Sequence, residues 1–210
     1  MDKLAQHYAG NKNPVAFLDE SFEVSKSKTF YIIALALVDD GYLDSTRKTL
    51  TDFYGGDALH ASPMYARKED ETLRQATNLV ARNHDGLDIV VYAPIDAEDT
   101  KGDAARRRCL EHLLPQIHNE FGTELFVFDK QSTPTQTKLD EYVLSDLRSS
   151  KELSRSSVGH HCQPSREPLL GLPDVLAWSY RQHHIGKPHW FAPMKEKTNV
   201  QVLSAPVNPL

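Results

Sequence analysis

The run Val15-Ala16-Phe17-Leu18-Asp19-Glu20, followed after a short polar link by Thr29-Phe30-Tyr31-Ile32-Ile33-Ala34-Leu35-Ala36-Leu37-Val38, decides how this chain folds. Each run reads as a strand, the second a long one. The link from Val24 to Lys28 is short enough to make the two an antiparallel hairpin. Asp39-Asp40-Gly41 ends the second strand.

Outward from the hairpin, helical and extended patterns alternate. Residues 44–54 have helical spacing, with Leu43, Leu50 and Phe53 as apolar points. Leu59 to Pro63 reads as a short extended piece. Residues 66–84 predict a helix with Leu73, Ala76, Leu79 and Val80 on one face. Asp88 to Ala93 is a strand stopped by Pro94. Residues 101–121 predict a helix carrying Leu110, Leu113, Leu114 and Ile117, with Pro115 as a point of kinking. Residues 124–129 form a strand, 135–148 a helix with Leu139, Val143, Leu144 and Leu147 on one side, and 157–162 a weak strand. Residues 173–185 form a last helix, with Pro173 in a first-turn position that suits it. This order implies an α/β domain: a mixed sheet with helices packed on it.

At 210 residues and 40% apolar content, the chain suits one domain with a proper core. Residues 1–13 read as a polar lead-in, 14–186 as the domain, and 187–210 as a Pro-rich tail. That tail is expected to hold an edge strand near Val200 to Leu203. The stretch from Trp190 onward is a candidate contact in a homodimer. A net charge of -5 argues against a mainly electrostatic nucleic-acid binder, but not against an enzyme with a local basic patch. Two cysteines, Cys109 and Cys162, are too few for a disulfide framework, and Met1 to Gly10 lacks an apolar signal core. The longest apolar run, Tyr31 to Val38, is too short to span a bilayer. The expectation is a cytoplasmic protein with no membrane partner.

Chemistry gathers at three acids. Asp19 closes one apolar run, Asp129 closes another (Leu125-Phe126-Val127-Phe128), and Asp174 opens the run Val175-Leu176-Ala177-Trp178. In mixed sheets, sites form at the carboxyl ends of strands near a switch in strand order. If the strands ending in Asp19 and Asp129 pair in parallel, their last residues meet. Carboxylates held side by side repel unless a divalent cation neutralises them, and magnesium or manganese suits oxygen ligands. Asp19, Asp129 and Asp174 are therefore the expected metal ligands. Two ions so held can activate water and stabilise a leaving oxygen. His60, titrating near neutral pH, is a candidate proton shuttle or substrate-orienting group. Glu20 is a candidate catalytic residue only if the strand ends or bulges beside it, because neighbours on a strand face opposite ways.

Plainer readings stand beside these. Acids at strand ends are often merely solvated, and Asp174 equally suits the positive end of a helix. His60 equally suits packing beside Pro63. Glu69, Asp70 and Glu71 complement a helix start. Arg106-Arg107-Arg108 spreads around a helix and reads as a solvated face. His160-His161-Cys162 and His183-His184 match no zinc-finger spacing. Lys130 either contacts a phosphate or flanks its strand. Gly55-Gly56 lacks the Lys-Ser/Thr of a P-loop, and there is no Gly-x-Ser-x-Gly elbow.

The motifs together resemble a family. Phe17-Leu18-Asp19-Glu20-Ser21 is similar to the Asp-Glu-Ser signature of domain-of-unknown-function family 3800, whose members have a ribonuclease H-like fold. Leu59-His60-Ala61 resembles its short His-containing segment, and Phe126-Val127-Phe128-Asp129 the acidic end of its central strand. Leu169 to Trp178 resembles its closing motif, with Leu172-Pro173 where the family usually has Gln and Ala before the closing acid. The resemblance covers most of residues 15–186. It implies three antiparallel strands followed by parallel ones, helices on both faces, and a two-metal nuclease site formed by Asp19, Asp129 and Asp174. In such sites one acid often comes from a helix, which keeps Glu71 in view. Two readings follow: a metal-dependent nuclease or related phosphodiester-cleaving enzyme with nucleic acid as substrate, or a catalytically inactive ribonuclease H-like binding or defence-associated module.

Overall fold

A computed structural model describes residues 3–25, 29–55, 58–82, 86–130 and 134–205. The hairpin forms as read: β1 (Val15–Val24) pairs antiparallel with β2 (Thr29–Val38), with Val15 opposite Val38 and Val24 opposite Thr29. The expected link at residues 26–28 lies outside the described residues. β3 (Leu87–Pro94) adds antiparallel to β2. On the other side of β1, β4 (Leu125–Asp129) and then β5 (Val158–Cys162) add in parallel. β6 (Thr198–Val202) pairs parallel with β3 and closes the far edge, giving the order β5-β4-β1-β2-β3-β6. Three antiparallel strands followed by parallel ones make a mixed α/β sheet of ribonuclease H-like arrangement.

Alternation along the strands divides the core in two. Val15 and Phe17 of β1, the even residues of β2, and Leu125 and Val127 of β4 face one side. There they pack on α2 (Leu43–Tyr54), α3 (Ala61–Ala66), α4 (Asp70–Arg82) and α7 (Gly171–His184). Ala16, Leu18, the odd residues of β2, Phe126 and Phe128 face the other side, under α5 (Asp103–Phe121) and α6 (Pro134–Ser149). Helices therefore cover both faces. α5 runs through a buried Pro115 as one helix.

Three local readings are corrected. The N-terminal lead-in contains α1 (Lys3–Gly10), which buries Leu4 and sends the Tyr8 hydroxyl to Glu167 Oε2 at 2.7 Å. Arg47 grips the same carboxylate at 3.1 and 3.0 Å, so a buried Glu167 ties α1 and α2 to the segment before α7. The extended piece at 59–63 ends at His60, and Ala61 already begins α3. The single helix expected over 66–84 is two, because Lys68 adopts φ 61° and the amide of Glu69 folds back to the Met64 carbonyl. The tail supplies the edge strand expected near Val200 to Leu203, as β6, and packs on the domain before it. Trp190, Phe191 and Met194 are buried, and Trp190 meets Trp178 edge-on at 5.3 Å between ring centroids. No described helix is long and apolar enough to cross a membrane.

Candidate active site

β1 carries Asp19 one position beyond Leu18, and Leu18 pairs with Phe128 in the parallel β1–β4 ladder. Asp129 is likewise one position beyond Phe128, so the two acids occupy matching positions on adjacent strands; Asp129 ends β4, but Asp19, expected to close its strand, lies midway along β1, which runs on to Val24 beside β2. Parity puts both on the face covered by α7, the side of Phe17 and Val127. Asp174 lies in the first turn of that helix.

Asp174 is fixed by the segment that crosses the start of α7. Gly171 permits the crossing, since a Cβ there would lie 2.9 Å from Leu59 Cβ. The next residues bond to the acid: His60 Nδ1 lies 3.1 Å from Asp174 Oδ2, and the Ala61 amide donates to Oδ1 at 2.8 Å. Asp174 thus satisfies an otherwise unpaired amide at the start of α3 while holding the imidazole. Its side chain is 14% exposed and that of His60 38%.

The charges of these groups act on one another. Asp19 is pushed well above the usual carboxylate range, first by burial and then by the negative charges of Asp174, Glu20 and Asp129. Asp129 is raised to about 6, first by burial; the His60 charge opposes this, while Glu20 and Asp174 add to it. His60 is raised above its ordinary value, first by its bond to Asp174. Asp129 and Asp174 thus act on Asp19, and His60 acts on Asp129, while Glu20 adds its charge to Asp19 and Asp129 from the other face of the sheet.

Glu20 does not join them. β1 continues without a break to Val24, so Glu20 faces the opposite side, where Arg106 Nη1 donates to Oε2 at 2.6 Å. Arg106 is buried, which overturns its reading as part of a solvated face. It binds Asp140 through two parallel bonds at 2.7 and 2.8 Å and reaches the Tyr31 hydroxyl at 2.9 Å. His161 Nε2 lies 2.9 Å from Asp140 Oδ2, and its ring stacks on Phe128. Burial alone would raise the Asp140 carboxyl, but the bonds from His161 and Arg106 win and hold it below the usual range.

The sequence reading missed Arg106 and Asp140, yet a signal was present. Arg106 sits on the stripe of Leu110, Leu113 and Ile117, and Asp140 on that of Val143, Leu144 and Leu147. A charge at a core position of a helical stripe is a buried charge in need of a partner. The other candidates lie elsewhere. Glu71 is bonded to Arg74 and Gln75 on the exposed side of α4. His183 and His184 pack among Tyr180, Phe191, Phe30 and Tyr92. Lys130 is exposed, and its amide donates to the Cys162 carbonyl. His160 alternates with His161, so it shares the face of the acids.

For a hard divalent cation the donor chemistry fits. Three carboxylates share one end of the sheet, and Asp129 Oδ1 is buried with no hydrogen-bond partner. The preformed geometry is incomplete: among the described residues, no three acidic, histidine or cysteine side chains are grouped closely enough to hold an ion as they stand. A cation would have to draw the carboxylates together. No family model matches the chain, and a search of curated proteins finds no match either.

Proposed function

We propose that this chain is a ribonuclease H-like, metal-dependent phosphodiester-cleaving enzyme, of the kind implied by its resemblance to domain-of-unknown-function family 3800, with nucleic acid as substrate. The observation that carries this reading is the placement of Asp19 and Asp129 at matching positions of adjacent parallel strands, on the face covered by α7, whose first turn carries Asp174. Asp19, Asp129 and Asp174 would hold magnesium or manganese, which supplies charge neutralisation and a more acidic bound water. The chain's own residues do the rest. The mutual repulsion of Asp19, Asp174 and Asp129 is relieved either by a proton or by a bound cation, and a cation would let all three ionise. Asp174 orients His60, whose Nε2 would take the proton given up by an attacking water and return it to solvent, while the leaving oxygen would be stabilised by the cation.

The test is cleavage of single- and double-stranded DNA and RNA with magnesium or manganese, alongside the Asp19→Asn variant and a chelator. Cleavage lost in both controls supports the proposal. A folded wild type that neither cuts any of the four substrates nor melts at a higher temperature with either cation overturns it. One observation favours the second reading, an inactive binding module: both Asp174 oxygens already accept hydrogen bonds within the fold.

A further inference from the structure

At the opposite end of the sheet from the acids, beside the amino ends of β4 and β5, an open cleft of about 660 Å³ lies between the last turns of α5 and α6. Arg148, Lys151 and Arg155 line it, with His118, Leu153 and Ser154 and two further serines. No carboxylate is among these residues, although acids outnumber cations 29 to 24 in the whole chain.

Cations near helix ends ordinarily complement terminal carbonyls. Here four of those carbonyls already accept from backbone amides. Asp146 O accepts from Ser150, Leu147 O from both Glu152 and Leu153, Arg148 O from Lys151, and His118 O from Gly122. Nor do carboxylates neutralise the cations. Among the described residues, no ion pair joins Arg148, Lys151 or Arg155 to an acid. Glu124, the acid bonded to Ser154, also accepts from Ser156 and so has its hydroxyl donors.

Two of the polar groups are held in place. Arg148 Nη1 donates to the Ser157 carbonyl at 2.9 Å, and His118 Nδ1 bonds the Thr123 carbonyl at 2.9 Å. Lys151 has φ 67°, a left-handed conformation that favours glycine, yet the position carries a long cationic side chain.

We propose that this cleft binds a phosphate-bearing ligand. Guanidinium groups match phosphate oxygens in geometry as well as charge, and the volume falls in the range of small-ligand sites. Leu153 is the one apolar lining residue, and no Phe, Tyr or Trp is present to stack on a base. The site therefore reads phosphate rather than base. Its source is either a free oligophosphate or the backbone of a nucleic acid. The inference does not depend on the acid cluster.

The test uses the full chain in chelator, which removes any cation-dependent binding at the acids. Inorganic pyrophosphate is titrated while backbone amide NMR signals are followed, and a labelled single-stranded oligonucleotide is titrated by anisotropy. Pyrophosphate is expected to shift the signals of residues 148–155. The Lys151→Gly/Arg155→Ser variant, whose glycine suits the left-handed position, is expected to weaken binding about tenfold or more. Oligonucleotide binding that pyrophosphate displaces and the variant loses assigns the source as nucleic-acid backbone; pyrophosphate binding alone assigns a free oligophosphate. If neither ligand binds, at pyrophosphate up to about 10 mM, tenfold above a millimolar Kd, the proposal fails. It fails equally if binding survives in the folded variant.

Discussion

Asp19 and Glu20 are neighbours in sequence and stand on opposite faces of the sheet: Asp19 under α7 with Asp129 and Asp174, Glu20 bonded at 2.6 Å to the buried Arg106. One strand thus serves two charged clusters at once. The lower one is closed by Arg106, which answers the carboxylates of Glu20 and Asp140. Removing the guanidinium leaves the largely buried Glu20 without its cation and the buried Asp140 with His161 alone. Arg106→Met is expected to cost about 3–5 kcal/mol, the range for breaking a buried pair by removing one partner. Glu20→Gln keeps a hydrogen-bonding group for Arg106 and is expected to cost about 1 kcal/mol. Urea unfolding of the two variants measures both. An Arg106→Met protein as stable as wild type would show that the cluster contributes nothing.

Asp129 sets a pH dependence of stability. Its carboxyl ionises at about 6 in the fold against an ordinary value of 3.8. Between these values the folded state keeps a proton that the unfolded chain has released. Its contribution to stability is therefore full below pH 3.8 and lost as pH rises through about 6. Asp129→Asn should raise stability at pH 7 by about 1–2 kcal/mol, after allowance for partial solvent screening, and change it little at pH 3.5. Thermal melts in chelator across this range give the result. An equal effect of the substitution at both pH values would refute the assignment.

The bond between His60 and Asp174 also has a titration signature. A His raised in the fold contributes stability that is present below its unfolded value near 6.5 and lost as pH rises through the higher folded value. In the Asp174→Asn variant the midpoint of His60 should fall, as read from its ring proton shifts by NMR. The Ala61 amide keeps an acceptor in the asparagine oxygen, so the fold is expected to persist. An unchanged midpoint would mean that Asp174 does not hold the ring in solution.

Gly159 leaves room for the buried Leu144 side chain of α6 against β5. A Cβ there would lie 2.2 Å from Leu144 Cδ1 and 3.3 Å from Phe128 Cε2. Gly159→Ala should force Leu144 into another rotamer, crowd Phe128 and cost about 1–3 kcal/mol as overpacking. Gly55→Ala meets only open space, and its φ of 66° should cost about 1 kcal/mol. A chemical-denaturation ranking with Gly55→Ala the more harmful would contradict the packing described for β5.

The hairpin was the most legible part of the chain, because long apolar runs with a short link leave few alternatives. The sequence left the parallel pairing of β4 with β1 as a condition; the ladder from Val15–Leu125 to Leu18–Phe128 meets it and puts Asp19 and Asp129 in matching positions. Other features escaped for identifiable reasons. α1 is polar except for anchors such as Leu4 and Tyr8, so its helicity depends on docking through Glu167, a contact made across 159 positions of sequence. The break at Lys68 rests on a left-handed lysine, a choice that composition does not announce. Arg106 was legible only by asking which side of its helix it occupied; its two arginine neighbours disguised it. The bond from His60 to Asp174 spans 114 positions and depends on how closely Leu59 approaches Gly171, a matter of tertiary packing.

β6 closes the sheet beside β3, and the buried Trp190, Phe191 and Met194 lead into it. On a ribosome, the hairpin and its helices would emerge long before this last strand, leaving the outer edge of β3 uncovered. Until residue 202 clears the exit tunnel, that edge is an open template for stray pairing, and the nascent chain is at its most vulnerable to aggregation.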